Sequence, residues 1–363
     1  MKDLSAMTDS ELADYLDFCE TQTHIQDKSQ HATKILLNSL YGALGTQYFR
    51  MYDVKQAEGI TLSGQAIVSQ SYEVMNDFLN STLKTDKDWV IASDTDSAYV
   101  NFSELMEQLT KGIPQEKHVD IMQKITDEVI AKKLTAKFDE FAVRTNAMFN
   151  NIDMKREAIA SACFVAKKNY VMLVYDNEGT RYATPKQKIT GLEAIKSSTP
   201  KYFKDKLKKG YSFVFDKTEA EIHKFVKEVY DEYMKLPAES LAAVTSVSEI
   251  EKYLDGTSVL PGTPYNAKAA ILYNQQIDKL GLREKYVKIK GGDKIKIVNL
   301  IVPNPLHGKY FSWIDKFPHE IIHDKFINRE LNYRKYFVDP LMRVLSVVGW
   351  KHEYAPSLED FFN

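Results

Sequence analysis

Cysteine is nearly absent from this chain: Cys19 and Cys163 are the only two in 363 residues, and they form no Cys-x-x-Cys pair. That argues against a disulfide framework and a zinc ribbon, and a reducing compartment becomes the default expectation. Long apolar runs are missing as well. The amino terminus, Met1-Lys2-Asp3-Leu4-Ser5, leads into acidic residues with no apolar core, so no secretory signal is expected. No stretch approaches the roughly 20 apolar residues of a membrane span, and internal repeats and low-complexity segments are absent. Net charge is small at −2, but it is unevenly placed. Residues 1–110 hold 7 Lys+Arg against 17 Asp+Glu, a balance of −10, while the remainder holds 41 basic and 33 acidic residues, a balance of +8. A basic downstream part fits a nucleic-acid surface, although solvated helix faces produce the same balance. With 44% hydrophobic residues the composition is globular, and the length allows two or three folded units.

The most informative stretch is an acidic turn. Trp89-Val90-Ile91-Ala92 and Ala98-Tyr99-Val100 flank Ser93-Asp94-Thr95-Asp96-Ser97, which reads as a β-hairpin with two carboxylates at its tip. At about 5 Å separation and an effective dielectric near 20, two such carboxylates repel by about 3 kcal/mol. Solvent relieves that at an ordinary surface turn. Divalent cations relieve it in a phosphoryl-transfer site, where hard oxygen ligands suit Mg²⁺.

Upstream lies Lys34-Ile35-Leu36-Leu37-Asn38-Ser39-Leu40-Tyr41-Gly42, free of Pro and rich in helix formers. At 100° per residue Lys34, Asn38 and Tyr41 share one stripe, with Leu36, Leu37, Leu40, Ala43 and Leu44 on the other side. Lys can meet a triphosphate, a Tyr ring can pack beside a base pair, and Gly42 lets backbone approach a ligand closely. An ordinary amphipathic helix would look the same. A further helix is expected over residues 8–30, opening at Thr8 or Ser10, with Leu12, Tyr15, Leu16 and Cys19 on one face. A longer one is expected over 53–80, then charged helical sequence from 103 to 150 interrupted at Gly112 and Pro114.

Taken in order, these stretches resemble the two downstream polymerase motifs of family B DNA polymerases, Lys-three residues-Asn-Ser-x-Tyr-Gly and the Asp-Thr-Asp-Ser hairpin. Further stretches extend the resemblance: Arg156-Glu157-Ala158-Ile159, Lys167-Lys168-Asn169-Tyr170, Gly191-Leu192-Glu193, Lys196-Ser197-Ser198-Thr199-Pro200-Lys201 and a closing Ser-Leu-x-x-Phe-Phe peptide. Within the family, the stretches resemble those of T-even-type bacteriophage replicative polymerases. The resemblance implies an α+β fold: a partial palm of antiparallel sheet and helices, a fingers helix pair and a mostly helical thumb. Residues 1–52 would be the carboxy-terminal part of the fingers, with helix 8–30 and the Lys34 helix antiparallel; 53–195 would be palm, 196–350 thumb and 351–363 a clamp-binding tail.

The resemblance also implies chemistry. Template-directed deoxynucleotidyl transfer would use two Mg²⁺ ions held by Asp96, with Asp94 tuning the metal geometry. Lys34, Asn38, Tyr41 and Gly42 would border the incoming deoxynucleoside triphosphate. Glu157 and Asp176 would stand behind the active site, and Lys167, Lys168, Asn169 and Tyr170 would hold primer-template DNA, the lysines on phosphates and the ring against sugar. Asn169 replaces a more usual Arg and Lys155 a more usual acidic residue, so the grip is expected to be weaker and any role of Lys155 is open. A charged strand edge is the plain alternative for the lysines. No segment matches the upstream palm motif that supplies the other metal-binding Asp. The reading is therefore the carboxy-terminal piece of a split polymerase that shares its ions with an amino-terminal polymerase and exonuclease chain, acting in the cytoplasm of an infected bacterial host, with no membrane partner. A non-catalytic subunit that binds DNA and the sliding clamp is the competing reading.

Three smaller patterns complete the picture. Leu358, Phe361 and Phe362 share one helical turn and resemble the family's sliding-clamp-binding tail, where a frayed apolar end is the alternative. The run Lys288 to Lys296 reads as a basic hairpin around Gly291-Gly292. His319-Glu320-Ile321-Ile322-His323 fits the zinc-protease pattern HExxH, which requires a shared helix face and a third ligand, and is taken as a chance match.

Overall fold

The structure, a computed structural model, describes residues 4, 7–114, 117–256 and 258–351. The chain divides into two compact units, Met1–Pro114 with Lys124–Met154, and Gln115–Gln123 with Lys155–Asn363. The boundary after Met154 falls inside the segment expected to be palm.

In the first unit helix α1 (Asp9–Leu44) opens with a capping box in which the Thr8 hydroxyl accepts from the Glu11 amide and Glu11 accepts from the Thr8 amide at 2.8 Å. No Pro or Gly occurs from Thr8 to Tyr41, so nothing breaks the helix for 36 residues. This corrects the expectation of an antiparallel pair within this stretch: residues 8–30 and the Lys34 segment are one helix. Helix α2 (Val54–Leu83) starts at Asp53, whose side chain accepts from the Gln56 amide at 3.1 Å, as the expected helix over 53–80 requires. The hydroxyls of Tyr41 and Thr61, 2.8 Å apart, join α1 to α2.

Strands β1 (Val90–Asp94) and β2 (Ser97–Val100) form the antiparallel hairpin, with Asp94 opposite Ser97. Leu79 of α2, Trp89 and Leu105 of α3 (Ser103–Leu109) make a small core beside it. The chain then breaks at Gly112, in a left-handed conformation with φ 80°. Helix α4 (His118–Lys124), all but its last residue assigned to the second unit, is followed in sequence by a π-helical turn, Ile125–Ile130, and α5 (Ala131–Arg144) of the first unit. Leu134 and Phe138 of α5 pack with Ile67, Val74 and Met75 of α2.

The second unit contains β3 (Ala158–Ala166), β4 (Asn169–Asn177) and β5 (Thr180–Thr190) as an antiparallel sheet with β4 central. Helices α6 (Lys201–Asp216) and α7 (Glu219–Tyr233) follow, then α8 (Ala238–Leu241) and β6 (Ala243–Ser246). A short ladder of β7 (Leu254–Asp255) and β8 (Ser258–Val259) precedes α9 (Tyr265–Lys279). Strands β9 (Lys294–Asn299) and β10 (Tyr310–Trp313) join β6 in a second antiparallel sheet, ordered β10-β9-β6, and α10 (Arg329–Tyr333) and α11 (Asp339–Leu345) close the unit. Helices and antiparallel sheets together make the expected α+β class.

Aromatic side chains fill this unit's core. Phe203 of α6 stacks with Phe337 at 5.5 Å and meets Tyr233 of α7 at 4.8 Å, and all three are buried. Gly210 permits a close helix crossing, since a Cβ there would stand 2.6 Å from Leu341 Cδ1 of α11. The basic hairpin expected around Gly291-Gly292 does not form. The Asn274 carboxamide engages both backbone groups of Ile289, at 2.8 and 2.9 Å, while the Gly292 amide donates to the Val247 carbonyl at 2.7 Å. The arm before the turn is thus held by a side chain and not by a strand. Among the described residues no helix is long and apolar enough to cross a membrane.

At the far end of the first sheet Asp176 is buried, and it is paired with Arg156 and with Arg181 Nε at 3.4 Å. Arg181 continues to Asp120 at 2.9 Å and to Gln123 at 3.2 Å. Burial alone would raise the Asp176 pKa, but hydrogen bonds from Arg156 and the Gly179 amide, the Arg156 charge and a bond from Arg181 hold it below the usual carboxylate range. A folded-state pKa lower than the unfolded one gives stability that is complete above the unfolded value, about 4, and lost as pH falls through the folded value. Urea unfolding should therefore show the native protein losing stability below about pH 4. Asp176→Asn should be about 3 kcal/mol less stable at neutral pH and lose less over the same acid range.

Candidate active site

Asp94 and Asp96 sit at the tip of the β1–β2 hairpin, as expected. The turn is tight: the Asp96 amide donates to the Asp94 carbonyl at 2.7 Å, and the Ser97 hydroxyl donates to that same carbonyl at 3.2 Å. Thr95, between the carboxylates, lies at φ 57°, and a β-branched residue there stores about 1–3 kcal/mol of backbone strain. Its hydroxyl donates to Asp94 Oδ1 at 3.2 Å. Asp94 is half-buried, whereas Asp96 is exposed and its carboxylate makes no hydrogen bond or ion pair among the described residues. Two carboxylates on a strained tip, one of them open, are hard oxygen donors that fit a divalent cation such as Mg²⁺. Among the described residues no group of three or more Asp, Glu, His or Cys side chains forms a complete metal cluster.

Lys34, Asn38, Tyr41 and Gly42 lie along α1, in the same unit as the hairpin. Lys34 and Asn38 are exposed, and Tyr41 is 45% exposed with its hydroxyl at Thr61. A Cβ at Gly42 would meet nothing within 4 Å, so backbone is open there. The leucines opposite are open too: Leu36 is 71% and Leu37 65% exposed, and no residue of α1 is buried.

In the second unit Lys167 and Lys168 form the β3–β4 turn, both exposed, with Lys168 at φ 60°. The Asn169 amide group donates to the Lys167 carbonyl at 3.2 Å. Tyr170 differs from the sequence reading: its ring is buried against Phe164 at a centroid distance of 4.9 Å, because position 170 falls on the packed face of β4. The two lysines are therefore the surface this turn offers. Gly191, quoted above only as a motif residue, controls the turn from the end of β5. It lies at φ 70°, and a Cβ there would stand 2.1 Å from the Lys168 carbonyl oxygen and 2.4 Å from Asn169 Oδ1. A Gly at a strand end was the only signal for this in the sequence.

Glu157 is exposed and paired with Lys188 of β5 at 3.3 Å, and both Asp176 oxygens go to arginines. The HExxH match has no helix beneath it, since residues 319–321 form a turn. Glu320 is bound by Lys285 and by the Tyr286 hydroxyl at 2.5 Å, which lower its pKa to about 2. Leu358, Phe361 and Phe362 lie outside the described residues. Gly191→Ala forces both a strained φ and a collision with the Lys168 backbone. It should lower stability in urea unfolding by about 2–3 kcal/mol and shift the backbone amide resonances of Lys168 and Asn169.

Comparison with known proteins bears on this geometry. The sequence pattern described as DNA polymerase family B matches residues 14–302. The DNA-directed DNA polymerase of Enterobacteria phage T4 is 30% identical across 100% of this chain and 42% of its own length. That of Escherichia phage RB69 is 31% identical across 91% of this chain and 38% of its own length. DNA polymerase 1 of Sulfolobus acidocaldarius is 32% identical across 30% of this chain. The chain thus spans about two-fifths of the length of the two phage relatives. The family match covers both the α1 stripe and the acidic hairpin, and the chain belongs to DNA polymerase family B.

Proposed function

We propose that this chain is the fingers-end, palm and thumb portion of a DNA-directed DNA polymerase of the T-even phage type, extending a primer on a template with deoxynucleoside triphosphates. The observation that carries the reading is the strained Asp94-Thr95-Asp96 tip in one unit with the Lys34–Tyr41 stripe, both within the family match. Residues 1–52 are then the end of the fingers, 53–195 palm, 196–350 thumb and 351–363 a tail for a sliding clamp, with Leu358, Phe361 and Phe362 as its anchors.

Asp96 and Asp94 would hold two Mg²⁺ ions together with a carboxylate from an amino-terminal partner chain that also brings the exonuclease. When bound, such ions activate the primer hydroxyl and neutralise the triphosphate. This chain's own residues do the rest. Asp96 offers an unshared carboxylate at the tip, while the Thr95 hydroxyl on Oδ1 restrains Asp94. Lys34 neutralises triphosphate oxygens as a point charge, and Asn38, Tyr41 and the open backbone at Gly42 border the nascent pair. Lys167 and Lys168 meet backbone phosphates, with Asn169 and Tyr170 fixing their turn, and Glu157 and Asp176 support the sheet that carries it. The setting is the cytoplasm of an infected bacterium, in keeping with the phage relatives.

Primer extension with Mg²⁺ and four deoxynucleotides, using this chain mixed with the amino-terminal part of a related polymerase, tests the proposal. Extension is expected in the mixture. Asp96→Ala should reduce it at least about 10³-fold, and its retention there would overturn the reading. Lys34→Ala should raise the deoxynucleotide KM about 10- to 100-fold with little change in primer-template affinity. Duplex binding without extension in the native mixture would favour the non-catalytic, clamp- and DNA-binding subunit.

A further inference from the structure

We propose that Asn76 and Asn80 of α2 are positioning residues for the Asp94–Asp96 turn, an inference that rests on the polymerase reading above. One helical turn apart, they lie on the same face of α2 and present two carboxamides to the segment that leads into β1. That segment has no strand beside it until Val90, so its backbone needs other partners.

The asparagines supply them. Asn80 Oδ1 accepts from the Thr85 hydroxyl at 2.9 Å, the Lys87 amide at 3.0 Å and the Trp89 indole N–H at 2.8 Å. Its amide group donates to the Lys87 carbonyl at 2.9 Å. Asn76 Oδ1 accepts from the Trp89 amide at 2.8 Å, and its amide group donates to Asp88 Oδ1 at 3.0 Å. Asp88 Oδ1 in turn accepts from the Val90 amide at 3.1 Å. Only a carboxamide offers both a donor and an acceptor in this way. Trp89, 3% exposed, is thereby held at its backbone and at its ring, and its carbonyl accepts from the Asn101 amide at 2.8 Å beyond the hairpin.

What this anchoring controls is the orientation of the turn. Between Val90 and Ala92 the pairing with β2 shifts by a bulge. Strand pairing alone therefore does not fix how the tip is aimed, and bulges beside functional sites commonly re-aim side chains. Side chains alternate faces with a period of two, so a one-residue slip at residues 87–89 would turn Asp94 to the opposite face. The two asparagines set the register from which the acidic tip is counted, acting through residues 85–89.

The test is single-nucleotide incorporation against Mg²⁺ concentration, in the mixture of this chain with the amino-terminal partner. Rates are counted per active site, and duplex affinity and melting temperature are measured in parallel. Asn80→Leu and Asn76→Leu should lower kcat per active site about 10- to 100-fold and raise the half-saturating Mg²⁺ concentration about threefold or more, with unchanged duplex affinity. A purely structural role would lower only the melting temperature and the active fraction. An unchanged kcat per site and unchanged Mg²⁺ dependence overturn the proposal. Trp89→Phe keeps an aromatic ring, though a smaller one, in the core but loses the N–H to Asn80, and the same reading on it decides the matter if either leucine variant fails to fold. Asp96→Ala runs alongside: activity there sinks the polymerase reading itself, while an inactive Asp96→Ala with a native-like Mg²⁺ response at Asn80→Leu sinks only this inference.

Discussion

Two like charges held two residues apart at a hairpin tip are the constraint on which this structure is most informative. Asp94 and Asp96 cannot be brought together without opposing electrostatics, and they are brought together at a position where Thr95 adopts a conformation that β-branched residues avoid. A turn chosen for stability alone would carry Gly or Asn there. Instead, the hairpin is underpinned by the Leu79, Trp89 and Leu105 core and by the carboxamides of α2. The unfavourable tip and the investment behind it belong together, because local strain persists only where the surroundings over-determine it.

Asp176 shows the opposite solution for a carboxylate. It is buried, and its oxygens are saturated by Arg156, Arg181 and the Gly179 amide. A group so fully engaged has no valence left for a mobile ligand, and its contribution is to order the end of the sheet whose other end bears Lys167 and Lys168. Asp96, exposed and unpaired among the described residues, has its valence free. Proximity in sequence pattern does not separate such roles; the partners around each oxygen do.

Local features were legible in the sequence. The hairpin, the start of α2 at Asp53 and the Thr8 cap depend on contacts within a few residues, and the pattern shows them. The α+β class followed from the family resemblance that the motifs carry. The missed features depend on contacts distant in sequence. Nothing local in Ile289 reveals that Asn274 will take its backbone groups, and nothing near Lys168 announces that Gly191 lies against its carbonyl. Tyr170 faces the core, against the expectation of a DNA contact, because alternation along β4 decides which face it takes, and that phase is set by pairing with β3 and β5. The continuity of α1 was readable from its lack of breakers, but the resemblance to a helix pair outweighed it.

The charge distribution gains a physical meaning from where the two signs fall along the chain. Residues up to 110 carry a balance of −10 and the rest +8. The acidic part holds the hairpin where cations would gather, and the basic part holds the lysine turn and the helical region proposed to track phosphates. At physiological salt, fields from exposed charges fade within about 8 Å, so the small net charge of the whole chain matters little at either place. The acidic first 110 residues and the basic remainder each favour a ligand of opposite sign. A uniform mixture of the same residues would give the same net charge and neither attraction, which makes the segregation, and not the total, the property that suits the proposed handling of both metal ions and polyanions.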